Sequence, residues 1–457
     1  MLISRYSKPE FDPYGDSSPE ETNQWWAAPT AGGPLAAVVS LPGSKSLTNR
    51  ELVLAALAEG PSLLRSPLHS RDSDLMVAAL RQLGTTVEAV PGDGEFGPDL
   101  RVTPGELVGS TTIDCGLAGT VMRFLPPVAA LALGPTTFDG DAGARRRPMA
   151  TTISSLRALG ADINDDGRGA LPFTVHGTGS LSGGEVTIDA STSSQFVSGL
   201  LLAGARFEHG LHLRHSGERL PSLPHIEMTI DTLARRGVDV RSPSIGEWII
   251  DPGPISGDEI DIEPDLSNAA PFLAAALIAG GTVTITGWPT STTQVGAHLA
   301  DLLPLFGARV SLVGDRLTVS AGERLTGVDL DLSTGGELAP ALVALAALAD
   351  SPSTITGIGH IRHHETDRLA ALVAELNGLG GAVTELPDGL RIEPRPLHGG
   401  AWRSYDDHRM ATAGALVGLV VPGVEIENIG TTAKTLPQFV ELWDNLVASG
   451  TAPVVPR

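Results

Sequence analysis

The chain has a single cysteine, Cys115, among 457 residues, so no disulfide can close within it and no thiolate cluster can hold a metal. Aromatic residues make up only 4%, so Ala, Leu, Val and Gly must build the cores from the 42% of hydrophobic residues. No apolar run is long enough to cross a membrane. Ala339–Ala349, one of the longest, is short and ends in a polar turn. Positive charge is also scarce: 31 Lys and Arg face 53 Asp and Glu, a net charge of -22. Such a surface repels nucleic acid and anionic membranes over distance, so neither is expected as a partner. An anionic substrate would need a local basic island. The G-x-G-x-x-G match "GDGEFG" at 92–97 leads into the β-prone run "DLRVT" and opens no helix, and no Walker A spacing occurs, which argues against a nucleotide-binding doubly wound sheet. Residues 1–29 lack a basic start followed by an apolar core; they read as a partly ordered extension rather than a signal peptide, and a cytoplasmic protein is expected.

What is present is repetition. A helix-like stretch ending in a Gly-marked stop and followed by a β-prone run recurs as "ALRQLGTTVEAV", "SLRALGADI", "TLARRGVDV", "LLPLFGARVSL" and "ELNGLGGAVTEL". The marker glycines Gly84, Gly160, Gly237, Gly307 and Gly380 are separated by 76, 77, 70 and 73 residues. Each unit opens with a short strand, a polar turn and a strongly apolar helix, near Pro42, Asp114, Asp189, Asp265, Glu337 and Asp406. Runs such as "VTIDA", "IDIEP" and "RLTVS" alternate with period two and read as strands. Six βαβαββ-like units divide most simply into two similar α/β domains of three. The expected boundaries are 30–43 plus 264–457 for a discontinuous domain and 44–263 for the one inserted in it. The strand "AAVVSLP" would return to complete the second domain.

Polar residues interrupt the apolar pattern at the unit openings. "PGSKSLTNR" brings Lys45, Ser46 and Arg50 to a helix start, where free backbone amides can hold an anion. "LAGTVMR" supplies Gly119, Thr120 and Arg123; "ARRRP" supplies Arg147 beside Arg145 and Arg146, of which one or two can simply face water. "STSSQ" gives Ser193, Ser194 and Gln195, a hydrogen-bonding row that could equally be an N-cap. Later come "RHHETDR" with His364, Glu365 and Arg368, "YDDHRM" with Asp407, His408 and Arg409, and Lys434 in "TTAKTLP". H-H-E-T-D lacks the second histidine of H-E-x-x-H, so no zinc is inferred.

At these motifs the sequence resembles the 5-enolpyruvylshikimate-3-phosphate synthase family. "LPGSKSLTNR", "AGTVMRFL", "RRRPM", "SSQF", "HETDR", "DDHRMA" and "TAKTLPQF" occur in family order from Leu41 to Phe439. The resemblance implies the enolpyruvyl transferase fold, an inside-out α/β barrel, and a cytosolic, usually monomeric enzyme of chorismate and aromatic amino-acid synthesis, the family targeted by glyphosate. Its substrates would be phosphoenolpyruvate and shikimate 3-phosphate, with no cofactor or metal. Carried over by position, Lys45, Ser46, Arg50, Ser193, Ser194, Gln195 and Ser222 match the shikimate 3-phosphate site, together with Glu337, His360 and His364. Lys45, Gly119, Thr120, Arg123, Arg147, Arg368, Arg409 and Lys434 match the phosphoenolpyruvate site. The resemblance makes Lys45, Glu337, Glu365 and His408 catalytic. Leu117, His225, His360 and His364 depart from residues common in the family and put individual contacts, not the reaction class, in question. A related enzyme acting on UDP-N-acetylglucosamine carries a cysteine five residues before its loop's Arg-Pro pair; here that position is Ala142. A noncatalytic anion-binding protein would have no need of both Glu337 and Glu365.

Overall fold

A computed structural model describes residues 25–450. Most of the expected extension, residues 1–24, lies outside the described residues.

The marker glycines prove to be helix stops. Helices Arg71–Gln82, Ala150–Ala158, Leu223–Arg235, Leu299–Leu305 and Arg368–Gly378 each end two residues before their glycine. The five glycines have φ of +102°, +105°, +82°, +99° and +92°. A side chain there would clash with its own backbone, so the Gly reverses the chain into the next strand at no steric cost.

Each repeat contributes one small sheet. In the second unit Thr111–Asp114 runs parallel to Leu133–Asp139, and Phe173–Thr178 lies between the latter and Asp162–Asn164, antiparallel to both. The third and fifth units repeat this order with strands between Gly184 and Ile250 and between Asp329 and Glu393. The first and fourth units exchange their opening strands. Glu259–Asp261 pairs parallel with Ser62–Arg65, while Leu35–Val39, in "AAVVSLP", pairs parallel with Gly281–Thr286. The chain thus passes twice between the halves, and the two passages lie together. The Ser44 N–H donates to the Glu263 carbonyl at 2.8 Å, and the Asp265 N–H to the Pro42 carbonyl at 2.9 Å.

The sixth unit has three strands, and one of them corrects the sequence reading. Trp25–Ala27, assigned above to the extension, pairs antiparallel with Val424–Glu427 beside Gly400–Trp402. Three residues are too few to display a period of two, and the partner lies at the far end of the chain, so no local pattern reports the pairing.

Buried apolar side chains fall into two clusters. One runs from Leu52 to Ile262; the other joins Ala28–Leu41 to residues from Leu266 to Val447. Helix Ala339–Ala347 is buried on every face, as its uninterrupted apolar sequence requires, and helix Gly119–Ala130 is buried throughout even at Thr120 and Arg123. Each fully buried Leu or Val contributes about 1.5–3 kcal/mol. Among the described residues no helix is long and apolar enough to cross a membrane.

Candidate active site

The opening of the first unit sets one wall. Ser44 caps helix Lys45–Leu57 by accepting the Leu47 N–H at 3.4 Å, which places Lys45 and Ser46 in the exposed first turn. Asp265, from the second passage between the halves, accepts the Lys45 N–H at 3.2 Å and the Ser267 and Asn268 N–H groups at 3.1 Å each. The Lys45 ammonium stands 3.6 Å from the Asp72 carboxylate, which is 4.0 Å from the Lys434 ammonium. Arg50 points inward and is already engaged. Its guanidinium donates to the carbonyls of Ser46 and His225, both at 2.9 Å, and to Thr229 at 2.8 Å, beneath the Phe124 ring. Burial lowers its pKa to about 9.

The second and third units add a polar row. Ser193 accepts the Gln195 N–H at 3.2 Å, and Gln195 accepts from Arg123 at 3.0 Å. Helix Gln195–Gly204 has no side-chain N-cap bond. Thr120 accepts from Asn49 at 2.7 Å. Of the three adjacent arginines only Arg147 turns inward, donating to the Leu117 carbonyl at 3.1 Å; Arg145 pairs with Asp139 at the surface. Gly119 backs this wall: a Cβ there would lie 2.9 Å from Arg123, Arg147 and Gln195 side-chain atoms alike. Ser222, at φ +54°, turns the chain so that His225 faces Glu337 at 3.5 Å.

Opposite lie the openings of the fourth to sixth units. Arg368 makes a two-pronged contact with Asp407 at 2.7 and 3.1 Å, reaches Glu365 at 2.9 Å, and donates to His364 Nδ1 at 3.0 Å. Lys434 makes a very short contact with Glu365 and is 3.4 Å from the Leu117 carbonyl. That carbonyl belongs to the backbone, so the departure at Leu117 does not alter it. Arg409 donates to the Ser267 carbonyl at 2.8 Å, and the Ser267 hydroxyl makes a short bond to Glu337.

Burial opposes ionisation of both acids, yet the charges around them win. Lys434, Arg368 and Arg147 hold Glu365 well below the usual carboxylate range. Glu337 is also lowered against burial, by His225, Arg409 and the Ser267 hydroxyl. His225 itself loses its proton readily because it is buried, so at neutral pH Arg409 and Ser267 are the lasting supports of the Glu337 charge. Burial likewise keeps His364 and His408 neutral, and lowers His360 to about 4.

These walls enclose one open-mouthed cavity of ≈ 1140 Å³, counting solvent at its mouth. Every sequence-derived site residue lines it except Gly119, which stands behind the wall, and Lys434, which is 2% exposed beneath Glu365. Sequence reasoning missed Asp72, a buried acid between two lysines, because "SRDSD" looks like an ordinary helix start with a capping box. It also missed Ser267, which bridges Glu337 and Arg409; only its place at a unit opening could have signalled it.

Two repeat-built halves whose unit openings aim cations and two ionised carboxylates into one cavity define an enzyme that transfers a group between small anions. The chain belongs to the EPSP synthase (3-phosphoshikimate 1-carboxyvinyltransferase) family, whose model matches residues 29–443. It is 59% identical over 430 residues to the 3-phosphoshikimate 1-carboxyvinyltransferase of Kocuria rhizophila, covering 93% of this chain and 97% of that protein. Two solved structures of EPSP synthase from Acinetobacter baumannii superpose with TM-scores of 0.75 and 0.74, at 25% and 24% identity, over 93% of this chain and 98% of theirs.

Proposed function

We infer that this cavity carries out the reaction of its family: the enolpyruvyl group of phosphoenolpyruvate passes to the 5-hydroxyl of shikimate 3-phosphate, and phosphate leaves. The observation that carries this reading is the convergence of Lys45, Arg147, Arg368, Arg409 and Lys434 around Glu337 and Glu365, in a protein of net charge -22. Phosphoenolpyruvate has a carboxylate and a phosphate, and in this reading those cations, with Gly119, Thr120 and Arg123 at their back, compensate its charge through directional contacts. Ser46, Ser193, Ser194, Gln195 and Ser222 hold the phosphate and hydroxyls of the other substrate, and Arg50 braces that wall. His360 and His364 face its ring as neutral hydrogen-bonding groups.

Glu337, ionised and held by Ser267, accepts the 5-hydroxyl proton as that oxygen bonds to C2. C3 gains a proton, giving a tetrahedral intermediate; C3 then loses a proton as the C2–O bond to phosphate breaks. Lys45 and Glu365 share the proton transfers at C3 and the leaving group, with His408 beside them. An anionic substrate would draw Lys434 and Arg368 away from Glu365 and raise its pKa, turning a carboxylate into a usable acid. The reaction balances without a redox group or metal. The halves divide at residues 30–43 plus 264–457, with the strand Trp25–Ala27 joined to them, against 44–263, and the enzyme works as a cytoplasmic monomer.

Glu365→Gln tests the assignment. Gln keeps an acceptor for Lys434 and Arg368, so the variant should fold with an unchanged circular dichroism spectrum. Turnover should drop by about 10²–10⁴-fold, the usual share of a general acid or base. Near-normal turnover would remove Glu365 from the catalytic set.

A further inference from the structure

Three elements present cations at one end of the cavity: helix Arg368–Gly378, helix His408–Gly418 and the tight turn Ile429–Lys434. The chain enters the last two through left-handed backbone without glycine. Tyr405 and Asp406 have φ of +55° and +54°, three and two residues before the helix of His408 and Arg409; Asn428, at +46°, immediately precedes the turn that carries Lys434. Asp and Asn adopt this conformation with some ease, but a bulky residue such as Tyr does so only where its surroundings impose it.

Glu375 supplies the imposing contacts. It lies two turns along the helix that Arg368 begins, hence on the same face. Both carboxylate oxygens are spent on the strained loop: one accepts the Tyr405 phenol at 2.5 Å, the other the Arg403 N–H at 2.9 Å. The Asn428 side-chain amide donates to Asp406 at 3.2 Å, tying the two left-handed entries together. One residue beyond this loop, Asp407 takes the two-pronged contact from Arg368 and accepts the Arg409 N–H at 2.8 Å. Glu375 is buried, neither it nor its hydrogen-bond partners Arg403 and Tyr405 line the cavity, and it has no place in the reaction derived above.

We propose that Glu375, acting through Tyr405, is a positioning residue: it clamps the loop of residues 403–406, left-handed at Tyr405 and Asp406, and so sets Asp407 against Arg368 and Arg409 at the cavity. The proposal rests on the reading of this end as the phosphoenolpyruvate end. Releasing the clamp lets the loop relax and shifts Asp407 and Arg409 together. Displacements of about 1 Å in such a constellation cost up to ~10²-fold in rate or binding.

Steady-state kinetics of Tyr405→Phe, Glu375→Leu and Glu375→Gln, beside wild type, decide it. Tyr405→Phe and Glu375→Leu should raise KM for phosphoenolpyruvate about tenfold, with KM for shikimate 3-phosphate within about twofold of wild type. Glu375→Gln should return close to wild type, since its oxygen can accept the Arg403 N–H while its amide donates to the phenol oxygen. A merely structural role would lower the unfolding temperature and leave both KM values alone, and that result would overturn the proposal; so would an equal rise in both. Should Glu375→Leu fail to fold, Tyr405→Phe decides alone, because it deletes one oxygen from a half-buried ring. An inactive wild type would sink the functional reading and the clamp with it. An active wild type matched by Tyr405→Phe would sink only the clamp.

Discussion

His225, His360, His364 and His408, which line the cavity, have their pKa lowered, chiefly by burial. The folded protein therefore keeps them neutral at pH values where the unfolded chain, with histidine near 6.5, binds protons. Stability is full above about pH 6.5 and falls as pH drops, by up to about 1.4 kcal/mol per pH unit for each histidine. For His360 the loss ends near its folded value of about 4. Glu365 and Glu337 are shifted down, so the stability they contribute is lost only at lower pH, below the ordinary carboxylate range. Thermal unfolding followed from pH 7.5 to 5.0 should show a steep decline that His360→Asn makes shallower. A flat profile would mean that these rings are not held neutral. At this scale the sequence was informative about charge and silent about pairing. The lone arginines and lysines of an acidic chain stood out, whereas Asp72 did not, because an acid in the first turn of a helix needs no special explanation.

Helix Gln195–Gly204 packs on helix Gly119–Ala130, and both carry site residues at their N-terminal ends. The closeness depends on Gly199, where a Cβ would collide with the Arg123 carbonyl. Gly199→Ala should push the helices apart and destabilise the protein by about 1–3 kcal/mol, as overpacking does. It should also weaken activity by displacing Gln195 from Arg123. An unchanged unfolding temperature would show that the helix pair tolerates the methyl group. Elements of this kind were largely legible beforehand, since the period of the apolar residues and the recurring Gly stops are local signals. Strand partners were not. The exchange of Leu35–Val39 and Glu259–Asp261 followed from counting repeats, but Trp25–Ala27 has no counterpart motif and joins the sheet only through a partner at the other end of the chain.

For the whole molecule, the repeat explains why the site lies where it does. Six units of one design place their helix openings toward a common centre, so polar residues far apart in sequence meet in one cavity lined from both cores. A chain of net charge -22 can hold lysine and arginine around its cavity because those cations are paired there with Asp72, Glu365 and Asp407, the partners that a substrate anion would displace in the proposed reaction. The most direct test is phosphate release by the purified protein given phosphoenolpyruvate with shikimate 3-phosphate or, in parallel, UDP-N-acetylglucosamine, with products identified by mass spectrometry. Phosphate and the enolpyruvyl ether should form with shikimate 3-phosphate alone; release with the nucleotide sugar alone, or none from folded protein with either acceptor, would contradict the account.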